Sequence, residues 1–525
     1  LKTSPYYPIL LGLLSGGLLW AAWPVSPLTP LIFIGFIPLL VMAELAISTR
    51  RFFISVYLGL LVWNVGTTWW IWNATATGAV LAWLANSLLM TIPWILYWLS
   101  KNKISRGGRY VLLIMAWMGF EYLHLQDWGL SWPWLTLGNV FAMHPHWVYW
   151  YSFTGTAGGT GWIWVVTLLL FHFLLRNQFK WTLQNYRWVA LALVLLFAPI
   201  LLSTQRLYPR LAKPSEKLEV VIVQPNVDPY QKIASGTTDT QIEKLIRLSK
   251  KSLTDSTRLL VWPETALYSP FGFDENNLQE QGQLEPVWQL LKEYPQLTLF
   301  TGIESYRWVE SPTRFSRPSS SVGQEFEAYN AGVVLSDGQS EIFYHKSMLV
   351  PGVETLPWFL RFMDSWFEKF GGVTAGYAKQ DHRTVLPTKS AFTIAPAICY
   401  ESIYGNFMRR YSKNGANLIV VITNDGWWKN TPGHRQHLQY ARLRAIENRT
   451  WVARSANTGI SAFIDPTGAL IDPKGYDQEA TLRQTLPVLP PSPTIYAQWG
   501  DWFSFLVLLL GGSYLLLTWR RSKKS

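Results

Sequence analysis

The chain has a single cysteine, Cys399, in 525 residues. That excludes internal disulfides and structural metal sites rich in thiolate. Charge is also scarce. Only 15% of residues are charged while 49% are hydrophobic, and the mean hydropathy is +0.10, which excludes an ordinary soluble enzyme. Acidic residues are the scarcer sign, 33 against 45 Lys and Arg, for a net charge of +12. Such an excess suits nucleic acid only when the basic residues share one soluble face. Here they lie between apolar runs, so no nucleic-acid partner is expected.

Those runs are the dominant feature. Stretches long enough to cross a bilayer, about 20 helical residues, fall near 6–24, 27–46, 52–73, 78–100, 109–125, 157–175, 188–204 and 503–519. The first is followed at once by another apolar span and lacks a cleavage signal, so it reads as a retained helix. The 30 Trp and 24 Tyr fit rings that collect at the headgroup level. Alternate connections carry Lys2, Arg50, Arg51, Lys101, Lys103, Arg106, Arg109, Arg176, Lys180, Arg187, Arg520, Arg521, Lys523 and Lys524. The connections near 25–27, 74–77 and 126–156 carry no Lys or Arg. The positive-inside rule then predicts cytoplasmic termini, with 205–502 outside the cytoplasmic membrane.

Between about 213 and 487 the composition becomes that of a soluble α/β domain. Candidate strands are LEVVIVQPN, RLLVWPE, LTLFTGIE, AYNAGVVLS, EIFYHK, FTIAPAIC, NLIVVITND and SAFIDPTG; candidate helices lie near 238–253, 284–294, 401–413 and 433–448. Several strands are apolar throughout, as in a sheet covered on both faces. A layered α/β sandwich is expected.

Three residues sit where such a fold presents chemistry, at strand ends: Glu264 in VWPETALY, Lys346 in YHKSMLVPGVE and Cys399 in AICYES. Cys399 is expected at a strand-to-helix turn, where helix amides lower a thiol pKa. A carboxylate can take the thiol proton, and an ammonium can stabilise an oxyanion.

The order WPE, then HK with LVP and a later Glu, then ICYE, then TNDGWW resembles the nitrilase superfamily and its Glu-Lys-Cys triad. With HRQHLQYARLRAIENR, NTGISAFIDPTG and seven apolar spans before the domain and one after it, the whole chain resembles the apolipoprotein N-acyltransferase family. The resemblance implies a nitrilase-like αββα sandwich carried on an eight-helix transmembrane bundle: bundle 1–205, catalytic domain 213–487, and linker with the eighth helix 488–525. It implies Glu264 as general base, Lys346 as oxyanion stabiliser and Cys399 as nucleophile, supported by Glu354, Tyr400 and Glu401. It further implies a phospholipid acyl donor, a diacylated apolipoprotein acceptor, a thioester intermediate, no cofactor and no metal. A monomer is expected, since no heptad or large repeat is present. The chain departs from the family where it has LVPGVE, often LVPFGE, and Ile233 after Lys232, where a Trp is usual.

Other features carry less chemistry. His434 and His437 could share a metal, but no further ligand cluster accompanies them. GTAGGTG from Gly155 opens an apolar span without a preceding strand, so it reads as close helix packing or a loop rather than a dinucleotide fingerprint. Glu121 is a functional candidate because a carboxylate is costly in lipid; the alternative is an interfacial group reaching water. The apolar stretch 356–372, with Trp358, Phe359, Phe362, Trp366, Phe367 and Phe370, is expected to act as an interfacial lid. Two other functions use the same residues differently: an amidase or nitrilase in which water resolves the thioester, or a transporter or scaffold without chemistry.

Overall fold

The computed structural model describes residues 4, 6–177, 183–208, 213–232, 237–319, 322–355 and 376–522. The chain divides into a helical unit, comprising Leu1–Trp72, Ala76–Tyr208 and Trp499–Ser525, and a second unit, comprising Asn73–Thr75 and Pro209–Gln498.

In the helical unit the expected apolar runs form helices at Tyr7–Ala22, Thr49–Thr68, Ala76–Leu99, Arg106–His124, Thr156–Asn177, Leu183–Arg206 and Trp502–Ser522. The second run differs. It breaks at Phe36 into Ile32–Gly35 and Ile37–Glu44, because Pro38 has no N–H to continue the ladder. Hydroxyls of Ser15 and Thr167 donate to the carbonyls of Gly35 and Phe33 beside the break. The Phe36 ring stacks on Trp164 at 4.6 Å and meets Trp117 at 5.2 Å. With Trp63 and Trp94, these indoles are fully buried, so part of the tryptophan expected at the headgroups is instead core.

By length and composition, Thr49–Asn73, Ala76–Leu99, Thr156–Phe173 and Arg187–Arg206 are long and apolar enough to cross a membrane; Tyr7–Ala22, Thr29–Glu44 and Trp502–Thr518 are shorter apolar helices. Some of the basic residues tie helix ends together. Lys101 Nζ donates to the Ala43 and Leu45 carbonyls at 2.8 and 3.1 Å, completing a helix C-terminus. Arg109 pairs with Glu44 at 2.9 Å. In GTAGGTG, Gly155 takes φ +63 and ends the short helix Tyr151–Thr154, directly before Thr156–Asn177 begins. A Cβ on Gly159 would lie 3.0 Å from the Gly138 Cα, so close packing is what this run serves.

Glu121 does not reach water. It accepts from Trp117 Nε1 at 3.0 Å, the Leu137 amide at 2.8 Å and the Thr160 hydroxyl at 2.7 Å. Its carboxylate thereby ties three segments together.

The second unit contains two sheets. The first has strands β1 (Glu216–Gln224), β2 (Thr257–Val261), β3 (Phe273–Asp274), β4 (Thr298–Val309), β5 (Arg317–Pro318), β6 (Glu325–Ser336) and β7 (Ile342–His345). The second has β8 (Leu386–Pro387), β9 (Thr393–Ile398), β10 (Leu418–Thr423), β11 (Trp451–Ala456), β12 (Ala462–Ile464) and β13 (Leu470–Ile471), and β14 (Ala480–Val488) returns antiparallel to β1. Strands β1, β2 and β4 are parallel, as are β9, β10 and β11.

Alternation assigns the faces. Leu299, Ile303, Ala331 and Val333 pack with Ile242, Leu245, Val287 and Leu290 of the helices Thr238–Lys250 and Glu285–Glu293. The intervening residues of β4 and β6 therefore face the second sheet. There a Cβ on Gly332 would meet Phe300 and Ile422, and the Ser455 hydroxyl donates to the Val223 carbonyl. Helices Gly405–Lys413 and Pro432–Asn448 accompany the second sheet. The result is a layered α/β sandwich. Strands β11 and β14 were not among the expected strands. WVARSA is short and carries Arg454, while ATLRQTLPV is a half-exposed edge with little apolar signal.

Candidate active site

Glu264 follows β2 by three residues and is buried. Its turn approaches β4 so closely that a Cβ on Gly302 would lie 2.6 Å from the Glu264 Cα. Only glycine fits there. Glu264 Oε2 accepts from the Asn424 amide at 3.0 Å, and Oε1 accepts from Asn330 Nδ2 at 2.9 Å. The Lys232 ammonium supports the turn from behind, donating to the Glu264 carbonyl at 3.0 Å and the Thr265 hydroxyl at 2.7 Å.

Lys346 directly follows β7 and is 1% exposed. Its Nζ lies 2.8 Å from Glu354 Oε1 and 3.3 Å from Glu264 Oε1. Burial alone would lower its pKa, but the Glu354 and Glu264 carboxylates raise it on balance. The ammonium is therefore permanently charged at neutral pH. Glu354 is fixed in turn by the Val350 amide at 2.8 Å. Asn330 donates to both carboxylates, reaching Glu354 Oε1 at 3.0 Å, and its own carbonyl accepts from the Lys346 amide at 3.0 Å.

Cys399 ends β9 with φ +52, a left-handed conformation that costs a non-glycine residue about 1–2 kcal/mol. A 3-10 turn, Cys399–Ile403, precedes the helix Gly405–Lys413, so the expected helix is interrupted at Tyr404. The expected low thiol pKa is corrected here. Burial pushes the thiol well up and the Glu264 charge adds to this, while Lys346 and a hydrogen bond with Thr423 oppose it. A single short turn supplies too small a dipole to reverse that balance. The balance favours the protonated thiol.

Glu401, fully buried, joins the Cys399 turn to the Lys346 segment. Its carboxylate accepts from the Ile398 amide at 2.8 Å, the Ser347 amide at 2.6 Å, the Met348 amide at 3.1 Å and the Tyr344 hydroxyl at 2.7 Å. Burial nevertheless pushes its pKa up to about 7. Tyr400 is buried, edge-on to Tyr404 at 5.2 Å.

A second network lies behind the cysteine. His437 places Nε2 3.0 Å from the Cys399 carbonyl and Nδ1 3.0 Å from Asp425 Oδ1, while Asp425 Oδ2 pairs with Arg454 at 2.6 Å. Burial would raise the Asp425 carboxyl, but Arg454 and His437 hold it well below the usual range. His437 thus steadies the Cys399 backbone. His434 instead packs against Tyr476 at 4.6 Å.

The structure therefore gathers Glu264, Lys346, Glu354 and Cys399 into one electrostatically coupled site, with Glu401 beneath it. Sequence reading missed Asn330 and Arg454, whose AYNAGVVLS and WVARSA contexts carry no motif, and did not single out Asp425 within TNDGWW. Ile233 and the stretch 356–372 lie outside the described residues.

Comparison with known proteins gives the family. The profile described as carbon-nitrogen hydrolase matches residues 221–488, and that of the apolipoprotein N-acyltransferase N-terminal domain matches 15–170. The apolipoprotein N-acyltransferase of Chlorobaculum tepidum is 28% identical over 98% of this chain and 97% of its own length. That of Geobacter metallireducens is 26% identical over 98% and 96%, and that of Rickettsia prowazekii 26% identical over 81% of each chain. With the first profile spanning just over half of the chain and the relatives extending through the helical unit, the chain belongs to the nitrilase superfamily of carbon-nitrogen hydrolases, in its apolipoprotein N-acyltransferase branch.

Proposed function

We propose that the protein is an apolipoprotein N-acyltransferase that carries the acyl chain as a thioester on Cys399. Glu264 takes the thiol proton as sulfur attacks the ester carbonyl of a phospholipid. Lys346 stabilises the oxyanion, and the lysophospholipid leaves with the proton from Glu264. The α-amino group of an N-terminal diacylglyceryl-cysteine then attacks the thioester, forming an amide and restoring the thiol. Glu354 and Asn330 hold Lys346 and Glu264 in place, while Tyr400 and Glu401 support the nucleophile turn. The observation that carries this reading is the Lys346 ammonium held between two carboxylates, at 2.8 and 3.3 Å, with its charge acting on the Cys399 thiol.

Both substrates are lipid-anchored. An eight-span membrane unit with cytoplasmic termini, the reading that the run lengths and the Lys and Arg bias support, would keep the reaction at the outer face of the cytoplasmic membrane.

Purified protein in detergent, given phospholipid labelled in its acyl chain and a diacylated lipopeptide, is expected to place amide-linked label on the peptide. Release of free fatty acid alone, or of ammonia from soluble amides, would instead support the amidase reading. A transporter or scaffold would leave both substrates unchanged.

A further inference from the structure

Beside the triad lies a group of acceptors that the mechanism above leaves unused. Glu304 stands on β4 in direct cross-strand register with Asn330 on β6. Opposite residues of an antiparallel pair share a face, with Cβ atoms about 5 Å apart. That face is the one turned towards the second sheet, where Asn330 contacts Glu264 and Glu354. Tyr377 bridges the same region. Its amide donates to the Glu354 carbonyl at 3.0 Å and its hydroxyl to Glu304 Oε1 at 3.0 Å.

Two acceptor atoms here lack a hydrogen-bond partner among the described residues. One is Glu304 Oε2, on a half-buried side chain open to solvent: among the described residues the donor to this carboxylate is Tyr377, on Oε1. The other is Asn330 Oδ1, fully enclosed on a residue 4% exposed. The assignment of that oxygen is secure, because the other end of the amide donates to two carboxylates. Lys232 acts on Glu304 electrostatically, but its hydrogen bonds go to the Glu264 carbonyl and Thr265. An enclosed acceptor without a partner, Asn330 Oδ1, next to a half-buried carboxylate with one oxygen free to receive a donor, suits a ligand with several N–H groups and positive charge.

Resting on the acyl-transfer reading, we propose that Glu304 and Asn330 Oδ1 form an ammonium subsite for the acceptor, and that Glu304 takes the proton that makes the acceptor amine nucleophilic. An α-amino group is mostly protonated at neutral pH and cannot attack in that state. One ammonium proton passes to the Glu304 carboxylate. The free amine forms the C–N bond to the thioester carbonyl, and the oxyanion faces Lys346. As the C–S bond breaks, the remaining excess amine proton passes through Glu264 to the Cys399 sulfur, and Glu304 later releases its proton to solvent. Burial raises the Glu304 pKa and Glu354 adds to this, against the Tyr377 hydrogen bond and the charges of Lys232 and Arg317. Tyr268 is the other titratable group coupled to it. Such a carboxylate is a better proton acceptor than an ordinary one.

The test separates the half-reactions. Glu304→Gln, incubated with labelled phospholipid, is expected to form acyl-enzyme within about twofold of the parent rate. On chasing with a diacylated lipopeptide at pH 7, transfer should fall about 10²-fold, the lower end for losing a general base. The deficit should shrink as pH rises towards 9.5 and the peptide amine deprotonates unaided. Equal slowing of acylation and transfer would assign Glu304 a structural role and overturn the inference. So would unimpaired transfer, or a deficit independent of pH. A parent protein that forms no acyl-enzyme from phospholipid would overturn the acyl-transfer reading and this inference together.

Discussion

Lys346 Nζ is 0.5 Å closer to Glu354 than to Glu264, 2.8 against 3.3 Å. Glu354 is therefore the tighter partner of the ammonium and Glu264 the looser one. Glu354→Gln should let Lys346 settle on Glu264. Acyl-enzyme formation should then slow by about 10²-fold, the scale of losing one oxyanion stabiliser, with acceptor KM little changed. Asn330→Ala should act in the same direction by releasing both carboxylates. Single-turnover acylation, read by intact-protein mass spectrometry, checks both.

Cys399 is expected to trade stability for reactivity. Cys399→Ala and Cys399→Ser should abolish transfer while leaving the fold intact. Cys399→Gly should also be inactive, yet more stable than the alanine variant by about 1 kcal/mol, because glycine adopts φ +52 without penalty. Thermal unfolding in detergent compares them. Equal melting temperatures would mean that the turn relaxes around alanine.

The Asp425–Arg454 pair is fully buried. Asp425→Asn would leave the guanidinium uncompensated and remove the partner of His437, at a cost of about 3 kcal/mol or more. The midpoint of unfolding should drop accordingly. Activity should fall even in protein that remains folded, because the Cys399 carbonyl is held by His437.

Glu401 gives stability a pH dependence. Its folded pKa is about 7, raised from the ordinary 4.5, so between those values the native state retains a proton that the unfolded chain has lost. Its contribution is complete below pH 4.5 and declines as pH rises through 7. Glu401→Gln removes this titration. Its melting temperature should therefore vary less with pH than that of the parent over this window, whatever its absolute stability. Parallel curves would show that the four donors keep Glu401 ionised throughout.

The apolar run lengths, the strand-end motifs and their order are local properties. For that reason the helices, the α/β sandwich and the strand-end positions of Glu264, Lys346 and Cys399 could be picked out from residues alone, whereas Glu354, Tyr400 and Glu401 were named only through the family resemblance. Asn330 could not, because an asparagine within an apolar strand acquires meaning only when cross-strand pairing sets it opposite Glu304 and between two carboxylates more than 20 residues away in either direction. Arg454 is equally silent until parallel pairing of β10 and β11 brings it beside Asp425. The Cys399 pKa was misread for the same reason: a turn next to a helix suggests a favourable dipole, but burial and the Glu264 charge come from distant segments. Glu121 likewise owes its role to Leu137 and Thr160. Periodicity and turn chemistry act over a few residues and are written in the sequence; desolvation and charge coupling depend on which segments the fold brings together, and only the tertiary structure decides that.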